Sequence, residues 1–129
     1  MTNVQNLKFT KTHEWARRDS GNTIVVGISD YAQKEIRDIV YIELPKVGKE
    51  FNQSEPVGTI ESVKAAFEIY APIAGKIIEV NQKASQDVTL VHKEPFESGW
   101  LYKMEARDTK DLNNLMDYEA YDKMTKEGH

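Results

Sequence analysis

The chain contains no cysteine, so neither a disulfide framework nor a thiolate-ligated metal can organise it. It also has no long apolar run: nothing approaches the roughly 18 consecutive apolar residues of a membrane span. Charge of one sign is nowhere concentrated. The 17 Lys and Arg and the 21 Asp and Glu interleave from end to end for a formal charge of −4, which excludes the basic face that nucleic-acid binding requires. Met1 to Lys11 shows no apolar h-region and no Arg-rich amphipathic pattern. No targeting segment is read there, so a cytoplasmic location is expected; a mitochondrial matrix location would need a transit peptide already removed. His92 and His129 stand at no metal-ligand spacing from each other or from His13, so no metal is expected. A nucleophile–base pair and a Gly-rich phosphate loop are missing as well, which argues against an enzyme.

What is present is a balanced globular composition, 40% hydrophobic and 29% charged over 129 residues. That length fits a single domain over 1–129. Residues 7–106 read as a β-rich core and 108–126 as a helical C-terminal segment. Phe9 to Arg17 is β-compatible, Asp19-Ser20-Gly21-Asn22 makes a turn, and Thr23 to Gly27 pairs back across it. Ser29 is placed to cap a short helix from Asp30 to Arg37, packed through Tyr31, Ala32 and Ile36. Ile39 to Leu44 is a further strand. Between Val57 and Val80 the chain alternates, with Phe67, Ile69, Ala71 and Ile73 on one face and Glu68 and Tyr70 on the other. Gly99 to Glu105 is the last strand, with Gly99 letting it bend and Trp100 in the core. Leu112, Leu115, Met116, Tyr121 and Met124 then form an apolar stripe at near-helical spacing.

A faint internal echo links Val47 to Phe51 with Ala74 to Ile78, and Val57 to Ile60 with Asp87 to Leu90. Two such halves would close a flattened barrel with Glu61-Ser62-Val63-Lys64-Ala65-Ala66 at one tip. Lys64 is one of thirteen lysines, and its frame distinguishes it. Small neighbours flank it, and the hairpin lacks the Asn-Gly or Asp-Gly that a tight turn prefers.

Those residues complete a wider pattern. Thr12-His13-Glu14-Trp15, Gly27-Ile28-Ser29-Asp30-Tyr31-Ala32-Gln33, Val40 to Pro45 with Val47-Gly48, Glu61 to Ala66, Tyr70 to Gly75 and Gly99-Trp100-Leu101 follow one another in a particular order and spacing. In both respects the chain resembles the H proteins of the glycine cleavage system, from about Leu7 to Tyr121. The resemblance implies a mainly β barrel-sandwich hybrid: a flattened barrel of two antiparallel sheets with a short early helix and C-terminal helices. It implies a non-catalytic carrier in which Lys64 bears lipoic acid in amide linkage, on an arm reaching on the order of 14 Å. Glu61, Ser62, Val63 and Ala65 would frame the lysine for the lipoate-attaching enzymes. Thr12, Glu14 and Glu68 would line a cleft for the arm, a carboxylate there pairing with an aminomethyl cation.

The partners so implied are the decarboxylating P protein, the folate-dependent T protein and the flavin-dependent L protein, with the carrier itself a monomer. The lack of cysteine suits such a carrier, since a nearby thiolate would trap a mobile dithiol as a mixed disulfide. His13 reads as structural. The sequence departs from the family where Arg37 replaces a frequent Gly, Phe67 a small polar residue and His92 an Asn, and at Phe96-Glu97. Phe67 lies closest to the arm. An H-like lipoyl relay, or a lipoyl domain for another complex, is the alternative left open.

Overall fold

Alternating apolar residues settle into two antiparallel sheets of unequal size in the computed structural model, which describes residues 3–128. The strands in chain order are β1 (Lys8–Phe9), β2 (Glu14–Ser20), β3 (Thr23–Ile28), β4 (Ile39–Glu43), β5 (Glu50–Phe51), β6 (Pro56–Ser62), β7 (Ala66–Tyr70), β8 (Gly75–Val80) and β9 (Tyr102–Ala106). The larger sheet runs β1-β2-β3-β9-β8-β5 and the smaller β4-β6-β7. They form a flattened sandwich rather than a closed barrel.

Ile24, Val26, Ile77 and Met104 of the larger sheet meet Ile42, Ile60 and Ile69 of the smaller in one buried cluster. The opposite face of the larger sheet leaves Lys76 and Ile78 of β8 exposed but is covered over β1, β2 and β3. There Trp15 and Val25 join Leu7, Phe9 and Tyr121 in a second cluster, as the two-residue period of β2 and β3 requires. Trp15 lies against its cross-strand partner Gly27, where any Cβ would come within 2.7 Å of the indole. Its Nε1 donates to the Pro95 carbonyl at 2.9 Å.

The short early helix, α1 (Asp30–Ile36), follows the capping logic of its sequence: Ser29 Oγ accepts from Ala32 N. Other elements differ from expectation. The opening strand is interrupted at residues 10–13, where His13 adopts φ 76°, so β1 and β2 form a hairpin of their own. Two five-residue helices, α2 (Gln82–Gln86) and α3 (Thr89–Lys93), occupy a stretch read without helix. Each is too short to display a 3.6-residue period, and each is held by one buried residue, Ala84 or Val91.

The last strand starts at Tyr102, not Gly99. Gly99 serves close packing instead, since a Cβ would approach the Leu90 carbonyl to 2.5 Å. Trp100 is only half-buried, under the Lys103 ammonium. The C-terminal stripe is not one helix. A 3-10 turn over Thr109–Asn114 precedes α4 (Tyr118–Lys126), and between them Met116 exchanges backbone hydrogen bonds with Phe9. Leu112 and Leu115 therefore pack on the inter-sheet core, while Met116 and Met124 join the second cluster. The internal echo has no structural counterpart in its first half: Gly48 lies in a turn at φ 94° whereas Gly75 opens β8, and the two segments pair antiparallel with each other. Nor has it one in its second half, where Val57 to Ile60 is strand and Thr89-Leu90 is helix. His129 lies outside the described residues.

Candidate functional site

Val63, Lys64 and Ala65 form the three-residue loop that joins β6 to β7. None of them adopts a left-handed backbone, which explains how the hairpin dispenses with Asn-Gly. Ser62 does the work of the missing turn residues. Its Oγ accepts from Lys64 N at 3.3 Å and Ala65 N at 3.2 Å and donates to the Ala65 carbonyl at 3.1 Å. The Ser62 N–H donates to the same carbonyl at 2.8 Å. A further bond comes from outside the hairpin, where Val63 N–H donates to the Asp38 carbonyl at 3.2 Å. The backbone is thus tied on both sides, while the side chains of Lys64, Ala65 and Glu61 are exposed and Val63 is 72% exposed.

Two residues beyond Lys64, Ala66 begins the wall of a cleft of about 650 Å³. Ile60, Phe67 and Ile69 form one side. Tyr31, Ala32, Glu35 and Ile36 of α1 form the other, and Thr12, His13 and Glu14 close one end. Ile42, Ile60 and Phe67 lie in one row across the small sheet, so Phe67 does face inward as its alternation requires. It is nevertheless 40% exposed, because β7 is the sheet's edge and the row ends in the cleft.

Glu14 is 1% exposed and its carboxylate is already engaged. Oε1 accepts from the hydroxyls of Thr10 and Thr12, each at 2.5 Å, and Oε2 from the Tyr70 N–H at 3.1 Å. Burial pushes its pKa up, against the opposing pull of these donors. Thr12 and Glu14 are therefore brought together, but onto each other, as a latch between the 10–13 loop and β7. Glu68 stands apart from them. Its register partner is Thr59 and beyond it Glu43, on the face opposite Phe67 and Ile69. It borders both this cleft and a groove on the outer face of the small sheet. It shares that face with Tyr70, whose phenol it holds above its ordinary pKa.

His13 joins its Nδ1 to the Tyr121 hydroxyl at 2.7 Å, and that hydroxyl meets Ser29 Oγ at 2.5 Å. The C-terminal helix thereby locks the cleft's end wall to the cap of α1. Burial lowers the His13 pKa, while Glu35 across the cleft raises it by a lesser amount. Glu35 and Tyr31 are cleft residues that sequence reasoning missed. Their signal was the i, i+4 spacing of Tyr31 with Glu35 and Ala32 with Ile36, one face of α1. Among the described residues no three His, Cys, Asp or Glu cluster as metal ligands, and no helix is long and apolar enough to cross a membrane.

Comparison with known proteins bears on this geometry. Residues 7–128 match the family model for the glycine cleavage H-protein. The chain is similar to the glycine cleavage system H protein of Halothermothrix orenii, 46% identical over 123 residues and 95% of each chain. It is 48% identical over 113 residues, 88% of each chain, to that of Thermus thermophilus. Among solved structures, a crystal structure of a glycine cleavage system H protein from Mycobacterium marinum superposes with a TM-score of 0.85 at 28% identity, covering 95% of this chain and 98% of that one.

Proposed function

Since the chain belongs to the glycine cleavage H-protein family, we propose that it serves the glycine cleavage system as a carrier, with lipoic acid attached to the Nζ of Lys64. The observation that carries the reading is the hairpin itself. Its backbone is held by Ser62 and by the Asp38 carbonyl, its lysine is exposed, and a cleft opens two residues away. A modifying enzyme can reach such a lysine without unfolding anything, and Glu61, Ser62, Val63 and Ala65 form the frame it meets.

The residues fit the group. Ile60, Phe67, Ile69, Ala32 and Ile36 give the cleft an apolar lining suited to a hydrocarbon arm. When attached, the lipoyl group supplies a disulfide that opens reductively as it takes up an aminomethyl unit and is later reoxidised. Thr12, Glu14 and Glu68 all line the cleft, with divided labour. Glu14 and Thr12 hold each other at the end wall, while the carboxylates of Glu35 and of Glu68, the latter beside the Tyr70 phenol, border the cleft where a primary amine would sit. On this reading 1–129 is one carrier domain, monomeric and cytoplasmic, that docks in turn with the P, T and L proteins after a lipoate-attaching enzyme has loaded it.

The test is peptide-mapped mass spectrometry after incubation with lipoate, ATP and a lipoate ligase. Lipoyl addition should be confined to Lys64. Lys64→Ala should abolish it while leaving the melting temperature unchanged. Addition at another lysine, or none on folded protein, sinks the assignment.

A further inference from the structure

The lysine hairpin is held from outside by the β4 ladder, where Ile39 pairs with Ser62, and by the 37–38 loop, which α3 braces in turn. Beyond α1 the backbone takes two consecutive left-handed steps, Arg37 at φ 54° and Asp38 at φ 38°. Arg37 combines its φ with ψ 160°, a region that is close to glycine-only. Such a conformation persists only where its surroundings over-determine it. Two ties do so: Arg37 N–H closes onto the Gln33 carbonyl at 3.1 Å, and the Asp38 carbonyl accepts from Val63 N–H beside Lys64 at 3.2 Å.

The next residue is gripped by His92 of α3. Its Nε2 accepts from Ile39 N–H at 3.4 Å, and its Nδ1 lies 2.8 Å from Gln33 Oε1. The amide of Gln33 is oriented by its own bond, Nε2 to Asp30 Oδ1 at 2.8 Å. Oε1 can therefore only accept. The imidazole carries its proton on Nδ1 and keeps Nε2 bare for the Ile39 N–H. One ring thus fixes both ends of the 37–38 loop, clamping Gln33 before it and Ile39 after it.

The geometry points to His92 as a positioning residue for Lys64, acting through Ile39, the Asp38 carbonyl and the Val63 N–H to hold the hairpin in the orientation that a lipoate-attaching enzyme accepts. This rests on the reading of Lys64 as the attachment site. A helix lying far along the chain thereby becomes part of how the lysine is displayed.

The test measures two things on the full chain: hydrogen exchange at the Val63 amide, and kcat and KM for the protein as acceptor of a lipoate ligase. His92→Ala should speed Val63 exchange about fivefold and raise KM by a similar factor with kcat unchanged. Exchange at Val26, deep in the larger sheet, should not move. His92→Asn offers an amide donor and acceptor in place of the imidazole and should restore both values. Gln33→Ala, which frees the ring without touching the loop, should repeat the local effect. Unchanged Val63 exchange in both alanine variants, or a rise equally large at Val26, overturns the proposal. A wild-type protein that takes no lipoyl group at Lys64 counts against the carrier reading instead, and Val63 exchange still decides whether His92 braces the hairpin.

Discussion

The two sheets share one core yet are built to different ends. The larger is covered by the inter-sheet cluster on one face and, along β1, β2 and β3, by the cluster of Phe9, Trp15 and Tyr121 on the other. The smaller is covered on one face only, and around its lysine hairpin Val40, Tyr41 and Val63 are exposed. Burial stabilises the first, whereas local hydrogen bonds shape the second. Stability and presentation should therefore be separable by mutation, and the two should couple only where a residue bridges the sheets.

Trp15→Ala is the hardest test of that separation. Its indole is fully buried, lies on Gly27 and spends its N–H on Pro95, so its loss should cost about 3–5 kcal/mol in urea unfolding. The protein that remains folded should still be lipoylated at the wild-type rate. A parallel loss of lipoylation in folded protein would mean that the scaffold shapes the hairpin after all.

Glu14→Leu comes next, because Glu14 is the bridge. It sits on β2 of the larger sheet and holds the Tyr70 N–H of the smaller one. Leucine fills the volume but takes the acceptor from that N–H and from the half-buried Thr10 hydroxyl, for a cost of about 2–3 kcal/mol. A change below about half a kcal/mol, read by the same unfolding, would mean that the sheets are not tied at this point.

Much of this division was legible in the sequence. Alternation marked Ile69, Ala71 and Ile73 as core, and Ser29 announced the cap of α1. The hairpin's want of Asn-Gly singled out the lysine loop, where Ser62 supplies the missing turn chemistry. What stayed hidden was tertiary. Nothing local distinguishes Glu14 as a buried carboxylate from an exposed strand acid; only β7, fifty-six positions away, decides it. Likewise α2 and α3 have five residues each and exist because Ala84 and Val91 find a core. Phe67 was assigned its correct face, yet an edge strand turns that face toward a cleft.

Arg37→Gly should act in the opposite direction and more weakly. The left-handed φ of 54° with ψ 160° costs an L residue about 1–3 kcal/mol, and glycine's greater unfolded-state entropy offsets part of the relief. A net gain of about 1 kcal/mol in thermal stability is expected, confined to the loop that supports the smaller sheet. A loss would show that the arginine side chain contributes more there than its backbone strain removes.

The smallest effect lies at the seam and depends on pH. Burial depresses the His13 pKa below the ordinary 6.5, with Glu35 opposing. As pH falls through about 6.5 the unfolded chain takes up a proton that the folded protein refuses, so stability declines. The decline ends once pH drops below the folded value and both states are protonated. The wild type should therefore lose stability relative to His13→Gln as pH falls from neutral through about 6.5, and well above that the difference should be constant. Gln keeps a polar group toward the Tyr121 hydroxyl that His13 now meets at 2.7 Å, so the comparison isolates the proton. If the two unfolding profiles run parallel through that window, His13 is free to protonate in place. The end wall would then be open to water, and the cleft would belong with the exposed sheet rather than with the sealed one.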